Sequence, residues 1–170
     1  MTVRGRVARQ RRKSAWAIVA VAGGFAGTVS VAVQLLAWWS QAADPLEQLL
    51  RDARLTAALV MGKKILATSL QWRWAVFVSA TLIHFALSMV YAALALPFVQ
   101  RLSVFAALLA GAVYGLLIYA VNLHGFTLLF PWFSVARGVD TIIVHVAFGI
   151  AVTAAYCVLL PIEKQSLPSA

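Results

Sequence analysis

Residues 74–123 read WAVFVSATLIHFALSMVYAALALPFVQRLSVFAALLAGAVYGLLIYAVNL, two long apolar stretches divided by a short polar break from Pro97 to Arg101. A hydrocarbon core about 30 Å thick takes about 20 helical residues, so Trp74–Phe98 and Val104–Leu123 each suffice to cross it. A turn this short predicts that the two helices are antiparallel neighbours.

Two further stretches of the same kind flank this pair, near Ala15–Trp39 and Val139–Leu160. Pro131-Trp132 with Arg137-Gly138 separate the third from the fourth. The first apolar run has 25 residues and ends in Trp38-Trp39. It is too long for the h-region of a signal peptide, and a tryptophan pair marks a membrane interface rather than a cleavage site. With 63% hydrophobic and 11% charged residues, there are too few polar side chains to coat a water-soluble globule. The sequence therefore predicts an all-α, polytopic membrane protein, a bundle of four transmembrane helices within residues 15–160.

The net charge of +9 is concentrated at the start, where Arg4, Arg6, Arg9, Arg11, Arg12 and Lys13 precede the first span. No aromatic residue interleaves this run to stack a base, so residues 1–14 read as a basic cytoplasmic tail and not as a nucleic-acid contact. With Arg101 and Lys164 the cytoplasmic count is eight, against six for Arg51, Arg54, Lys63, Lys64, Arg73 and Arg137 on the other side. The dense tail beside the first span predicts both termini, including the tail 161–170, in the cytoplasm of a bacterial inner-membrane protein. Trp72, Trp74, Trp132 and Trp38-Trp39 then form an outer aromatic belt, with Trp16 at the inner face.

Residues 44–71 form the one sizeable piece outside the spans, opening with the helix-start signature Asp44-Pro45 and Glu47 in the first turn. Leu46, Leu49, Leu50, Ala53, Ala57 and Val60 recur at helical spacing, with Glu47, Arg51, Asp52 and Arg54 away from that stripe. This pattern predicts an amphipathic interfacial helix, with a short re-entrant helix as the alternative.

The chain also resembles itself. Gly23-x-x-x-Gly27 in the first span matches Gly111-x-x-x-Gly115 in the third, and Ile83-His84-Phe85-Ala86 in the second matches Val144-His145-Val146-Ala147 in the fourth, with Ser88 and Gly149 following. Two parallel hairpins of this kind would be related by a pseudo-two-fold axis along the bilayer normal. Paired glycines let two backbones approach closely, so Gly23/Gly27 are expected against Gly111/Gly115, in this chain or between copies of it.

Polar groups at membrane depth face protein interior and find partners. The candidates are His84, His145, Asn122 and His124, with the hydroxyls of Ser79, Thr81, Ser88 and Thr153. Three roles stay open for the histidines: structural bonds across helices, a pH-sensing or proton-passing pair, and axial ligation of haem b. No third carboxylate or thiolate supports a metal site, and Cys157 is the only cysteine. Phosphate-binding loops, nucleophile elbows, HExxH and CxxC are absent, so nothing marks an enzyme.

Ile83-His84 followed by Ser88 and Tyr91, the run Leu108-Leu109-Ala110-Gly111-Ala112, and a Pro-Trp loop leading to His145 carry a likeness to a known group. In these features, mainly in its second half, the chain resembles the YagU-like bacterial inner-membrane proteins. It is similar too to small four-span proteins loosely labelled sodium:proline symporters. The resemblance implies a cytoplasmic-membrane location and a loose association with acid tolerance, with no substrate. The ten or so spans of a LeuT-type symporter are beyond this length. The expected function is a non-enzymatic membrane protein acting as a homo-oligomer or an accessory subunit of a larger complex. The alternatives are an oligomeric transporter or proton channel with a His-lined path, and a bis-His haem protein.

Overall fold

The computed structural model describes residues 3–41 and 43–160, with side chains described from residue 15 onward; the expected C-terminal tail lies outside them. Five α-helices follow in order: α1 Val3–Ser40, α2 Pro45–Met61, α3 Trp74–Val99, α4 Val104–Ala120 and α5 Val139–Leu159. A π turn, Val121–Gly125, and a 3₁₀ turn, Phe126–Leu128, prolong α4, and another 3₁₀ turn, Pro131–Ala136, leads to α5. Four segments, Ala15–Ser40, Trp74–Val99, Val104–Leu128 and Val139–Leu159, are long and apolar enough to cross a membrane. The protein is an all-α, multi-pass membrane bundle. Its outward surface carries bare Phe98, Phe105, Leu117 and Val158, side chains that only lipid would solvate cheaply.

Local chemistry sets the ends. Asp44 caps α2 by accepting from the backbone N–H of Leu46 at 2.9 Å and of Glu47 at 3.4 Å, with Pro45 in the first turn. Gly62 ends it at φ +80°, a conformation that favours glycine, and its N–H donates to Ala58 O. Ser103 caps α4 through Ala106 N–H. Arg137 closes the far end of that span by donating to Leu123 O and Thr127 Oγ1, both at 2.7 Å.

Small side chains decide which helices touch. Gly23 and Gly27 of α1 lie on α3: a Cβ at Gly23 would stand 3.0 Å from Met89 Cα and Ser88 O, and one at Gly27 2.9 Å from Ser88 Oγ. Gly111 and Gly115 of α4 lie on α5, where a Cβ at Gly111 would come within 2.6 Å of Gly149 O and one at Gly115 within 2.7 Å of Val146 Cα. The expected pairing of Gly23/Gly27 with Gly111/Gly115 is thus corrected. Each glycine stripe receives the histidine-bearing helix of its own half, because that helix offers Ser88 or Gly149 at the crossing.

The expectation that α3 and α4 are close neighbours is corrected as well. Their backbones hardly approach, whereas α1 packs closely on α3 and α5, and α4 on α5. A four-residue turn fixes only where two helices meet, and glycine packing pulls each towards a different partner. Tyr114 spans the gap by donating to Tyr91 O at 2.8 Å.

The half of the bundle nearest the N-terminus is sealed by Val19, Ala22, Ala26, Ala92, Ala95, Ala107 and Val152, with Tyr156 fully buried and donating to Ala92 O at 2.6 Å. At the opposite end α2 lies across the bundle, packed on α3 through Ala53, Ala57 and Ala58. Arg54, expected on the solvated face, is 3% exposed. Its guanidinium donates to Leu50 O, Thr68 Oγ1, Ser69 O and Gln71 O, which folds the 62–71 segment back onto α2. Burial of a charge is tolerable here because every side of it meets an acceptor.

Candidate functional site: a cavity beneath α2

The α2 half of the bundle is hollow. A cavity of about 520 Å³ is bounded by the second half of α1, the middle of α3, the end of α4, the first half of α5 and one face of α2. It falls within the usual size range of small-molecule sites. His84 and His145 both line it, as do Asn122, Tyr91, Gln34 and Asp52.

Each imidazole is fixed by a backbone carbonyl, His84 by one from the neighbouring helix α1 and His145 by one from its own helix. His84 lies within 3.1 Å of Gly27 O, and because a carbonyl only accepts, Nε2 carries the proton and donates. The same glycine that lets α1 approach α3 therefore bares the carbonyl that orients His84. On α5, His145 Nδ1 donates to Thr141 O at 2.8 Å, one turn back, which leaves Nε2 as the acceptor facing Asn122 Nδ2 at 3.4 Å. Asn122 in turn accepts from the Tyr91 hydroxyl through Oδ1. Tyr91, Asn122, His145 and the Thr141 carbonyl thus form one directed chain of donors across three helices, satisfied at each member. Asn122 stands in the π turn, a local widening of the helix often found at functional positions.

His124 does not join this group. It is exposed, edge-on to Tyr119 at 5.6 Å, and absent from the cavity wall. Gly23, Gly27, Gly111 and Gly115 position the walls rather than line them. Both Nε2 atoms, the ligand atoms that a haem between the histidines would use, are engaged by Gly27 O and Asn122. Among the described residues no three His, Cys, Asp or Glu side chains are gathered as a metal would require.

Several wall residues escaped the sequence reading. Asp52, assigned there to the solvated face of α2, shares a cavity-facing stripe with Leu49, Thr56 and Leu59. It carries a carboxyl pushed up to about 6, chiefly by burial, with Arg51 opposing the shift and Asp140 adding to it. Trp38, expected in the lipid-facing belt, is 7% exposed and forms part of the wall. Trp132 is half-buried, donating to Leu55 O at 3.0 Å and packing against Phe130 and Phe133. Gln34 donates to Asp140 Oδ2 at 3.3 Å. A strongly polar amide in the middle of an apolar run was the available signal for Gln34. For Asp52 it was the Leu49-x-x-Asp52-x-x-x-Thr56-x-x-Leu59 spacing.

The offset of 88 positions that aligns the two glycine pairs also aligns Gln34 with Asn122 and Trp38 with Phe126, and the offset of 61 aligns His84 with His145. All six residues line the cavity, so it lies where the two hairpins face each other.

Compared with family profiles, with curated proteins and with solved structures, the chain matches none.

Proposed function

We propose that this is a non-enzymatic membrane protein that holds a small, largely apolar molecule inside its bundle. The observation that carries the reading is the cavity of about 520 Å³ under α2, into which groups from all four spans converge. An apolar wall with a few oriented polar groups is the usual make-up of a small-molecule site. The basic tail beside the first span supports a bacterial inner-membrane protein with N-in/C-in orientation, which would turn α2 and the cavity to the outer face. Partnership with a second copy or a larger complex fits such a role.

The His-lined proton path fits less well. The directed chain from Tyr91 to Thr141 lies within the hollow half, and the Val19, Ala22, Ala92 and Val152 packing seals the other half. A one-sided pocket follows more directly than a conduit. Filling the cavity tests the proposal. Native mass spectrometry of protein released from its own membrane should find a small-molecule adduct in the parent chain. Thr56→Trp and Leu87→Trp should lose it while keeping full helicity. An adduct equally abundant in both filled variants would refute the reading.

A further inference from the structure

The described residues lining the cavity include neither Lys nor Arg, and Asp52 is their only Asp or Glu. In a chain with 14 basic and 5 acidic residues this is the reverse of what composition alone would supply. Arg51, its neighbour in sequence, directs its guanidinium elsewhere, to Gln48 Oε1 at 3.3 Å and Val135 O at 3.2 Å. A second carboxylate, Asp140, stands nearby on α5. Around the same hollow stand the rings of Trp38, Phe126, Phe130 and Phe133. Trp132 holds the last two, packed against Phe130 at 5.3 Å and Phe133 at 6.2 Å while tied to α2 through Leu55 O. A carboxylate among aromatic faces attracts a cation by charge and by the ring quadrupoles, and repels an anion.

Resting on the binding role proposed above, we infer that the cavity takes a monocationic amphiphile, its ammonium group beside Asp52 among the aromatic rings and its apolar body in the hollow below. The deeper polar groups are donors and acceptors with partners of their own, so they can accommodate a hydroxyl or carbonyl. A free alkylamine or aralkylamine, protonated at neutral pH, and the choline headgroup of a lipid share this chemistry.

The probe is benzyltrimethylammonium, with neopentylbenzene as its uncharged isostere and phenylmethanesulfonate as the anion. Each is titrated by calorimetry into the full chain in phosphatidylglycerol nanodiscs, with empty nanodiscs subtracted. The cation should bind saturably, at least tenfold tighter than the isostere, and the anion should not bind. Asp52→Asn should erase the preference for charge while leaving the isostere's affinity unchanged, and Asp52→Glu should keep it. Repeating the titration in phosphatidylcholine nanodiscs separates the sources: competition by the lipid assigns a headgroup, and its absence a free amine. Equal binding of cation and isostere, unaffected by Asp52→Asn, would overturn the cation inference and leave the binding role standing. No saturable binding by any of the three would overturn both.

Discussion

Gly115→Ala is the sharpest perturbation of the bundle. Its new Cβ would lie in contact with His145 O and 2.7 Å from Val146 Cα, both backbone atoms that no rotamer change can move. Carbon atoms rest at about 3.5–4.0 Å, so α4 and α5 must part by on the order of 1 Å. A gap of that size forfeits roughly a quarter to a half of each facing contact, each worth about 0.1–0.2 kcal/mol; over some 25 facing atom pairs this comes to about 1–2 kcal/mol. The range for overpacked cores, about 1–3 kcal/mol, agrees. Gly24→Ala is the control, since a Cβ there meets nothing within 4 Å and removes a glycine from a helix interior. It should be neutral or stabilising by up to about 1 kcal/mol. Reversible unfolding in SDS mixed micelles, followed by far-ultraviolet circular dichroism, measures both. The two variants should differ by about 2 kcal/mol, and a difference below about 0.5 kcal/mol would refute the packing argument. The double variant Gly27→Ala/Gly115→Ala carries a further check. The two glycines serve separate helix pairs, so their effects should add to within about 0.5 kcal/mol; strong coupling would restore the α1–α4 pairing expected from sequence.

Three other outcomes follow from the α2 end. Arg54→Met removes the guanidinium that holds Thr68 Oγ1, Ser69 O and Gln71 O, so trypsin should cut at Lys63 and Lys64 many times faster than in the parent chain; equal rates would deny the guanidinium its anchoring role. Asp52 binds its proton more tightly folded, at about 6, than its ordinary value of 3.8, so the native state gains stability as pH falls from about 6 towards 4 and loses it as pH rises through that window. Facing it are Arg51, Asp140, His84 and His145, and the gain is bounded by roughly 3 kcal/mol. Asp52→Asn should flatten the thermal-shift profile over that window, and an unchanged profile would assign the dependence elsewhere. Tyr91→Phe deletes the donor to Asn122 Oδ1 and should cost about 1 kcal/mol in the same SDS titration, with no cost arguing that water replaces the hydroxyl.

The four spans were legible because their signal is a count of apolar residues, a property of each segment taken alone. The cap at Asp44 and the start of a span at Trp74 were legible for the same reason, being set by neighbours in sequence. Contact between helices was not. A glycine stripe says that some backbone comes close, and which one depends on what the other helix presents: Ser88 and Ala92 to α1, Gly149 and Thr153 to α4. The histidines were found because an imidazole is conspicuous among apolar residues. Asp52 and Arg54 were misread because α2 buries more than one face, a wall for the cavity and a seat for the 62–71 segment, and a single apolar stripe represents only one of them.

The hollow lies beside a point where the two halves, matched in sequence by the offsets of 88 and 61, carry different side chains. Under the same offsets, the α1–α5 contact has the α4–α3 contact as its counterpart, and only the first is closed. Ala26 of α1 corresponds to Tyr114 of α4, and Val152 of α5 to Tyr91 of α3. Where the first pair has a methyl group and a small branched side chain, the second has two phenols that bridge the gap, Tyr114 donating to Tyr91 O and Tyr91 to Asn122. The two tyrosines thus bridge α3 and α4 where the backbones stay apart, Tyr114 from the sealed core and Tyr91 at the cavity wall, and Tyr91 passes the bridge on to Asn122 and the polar groups that converge there.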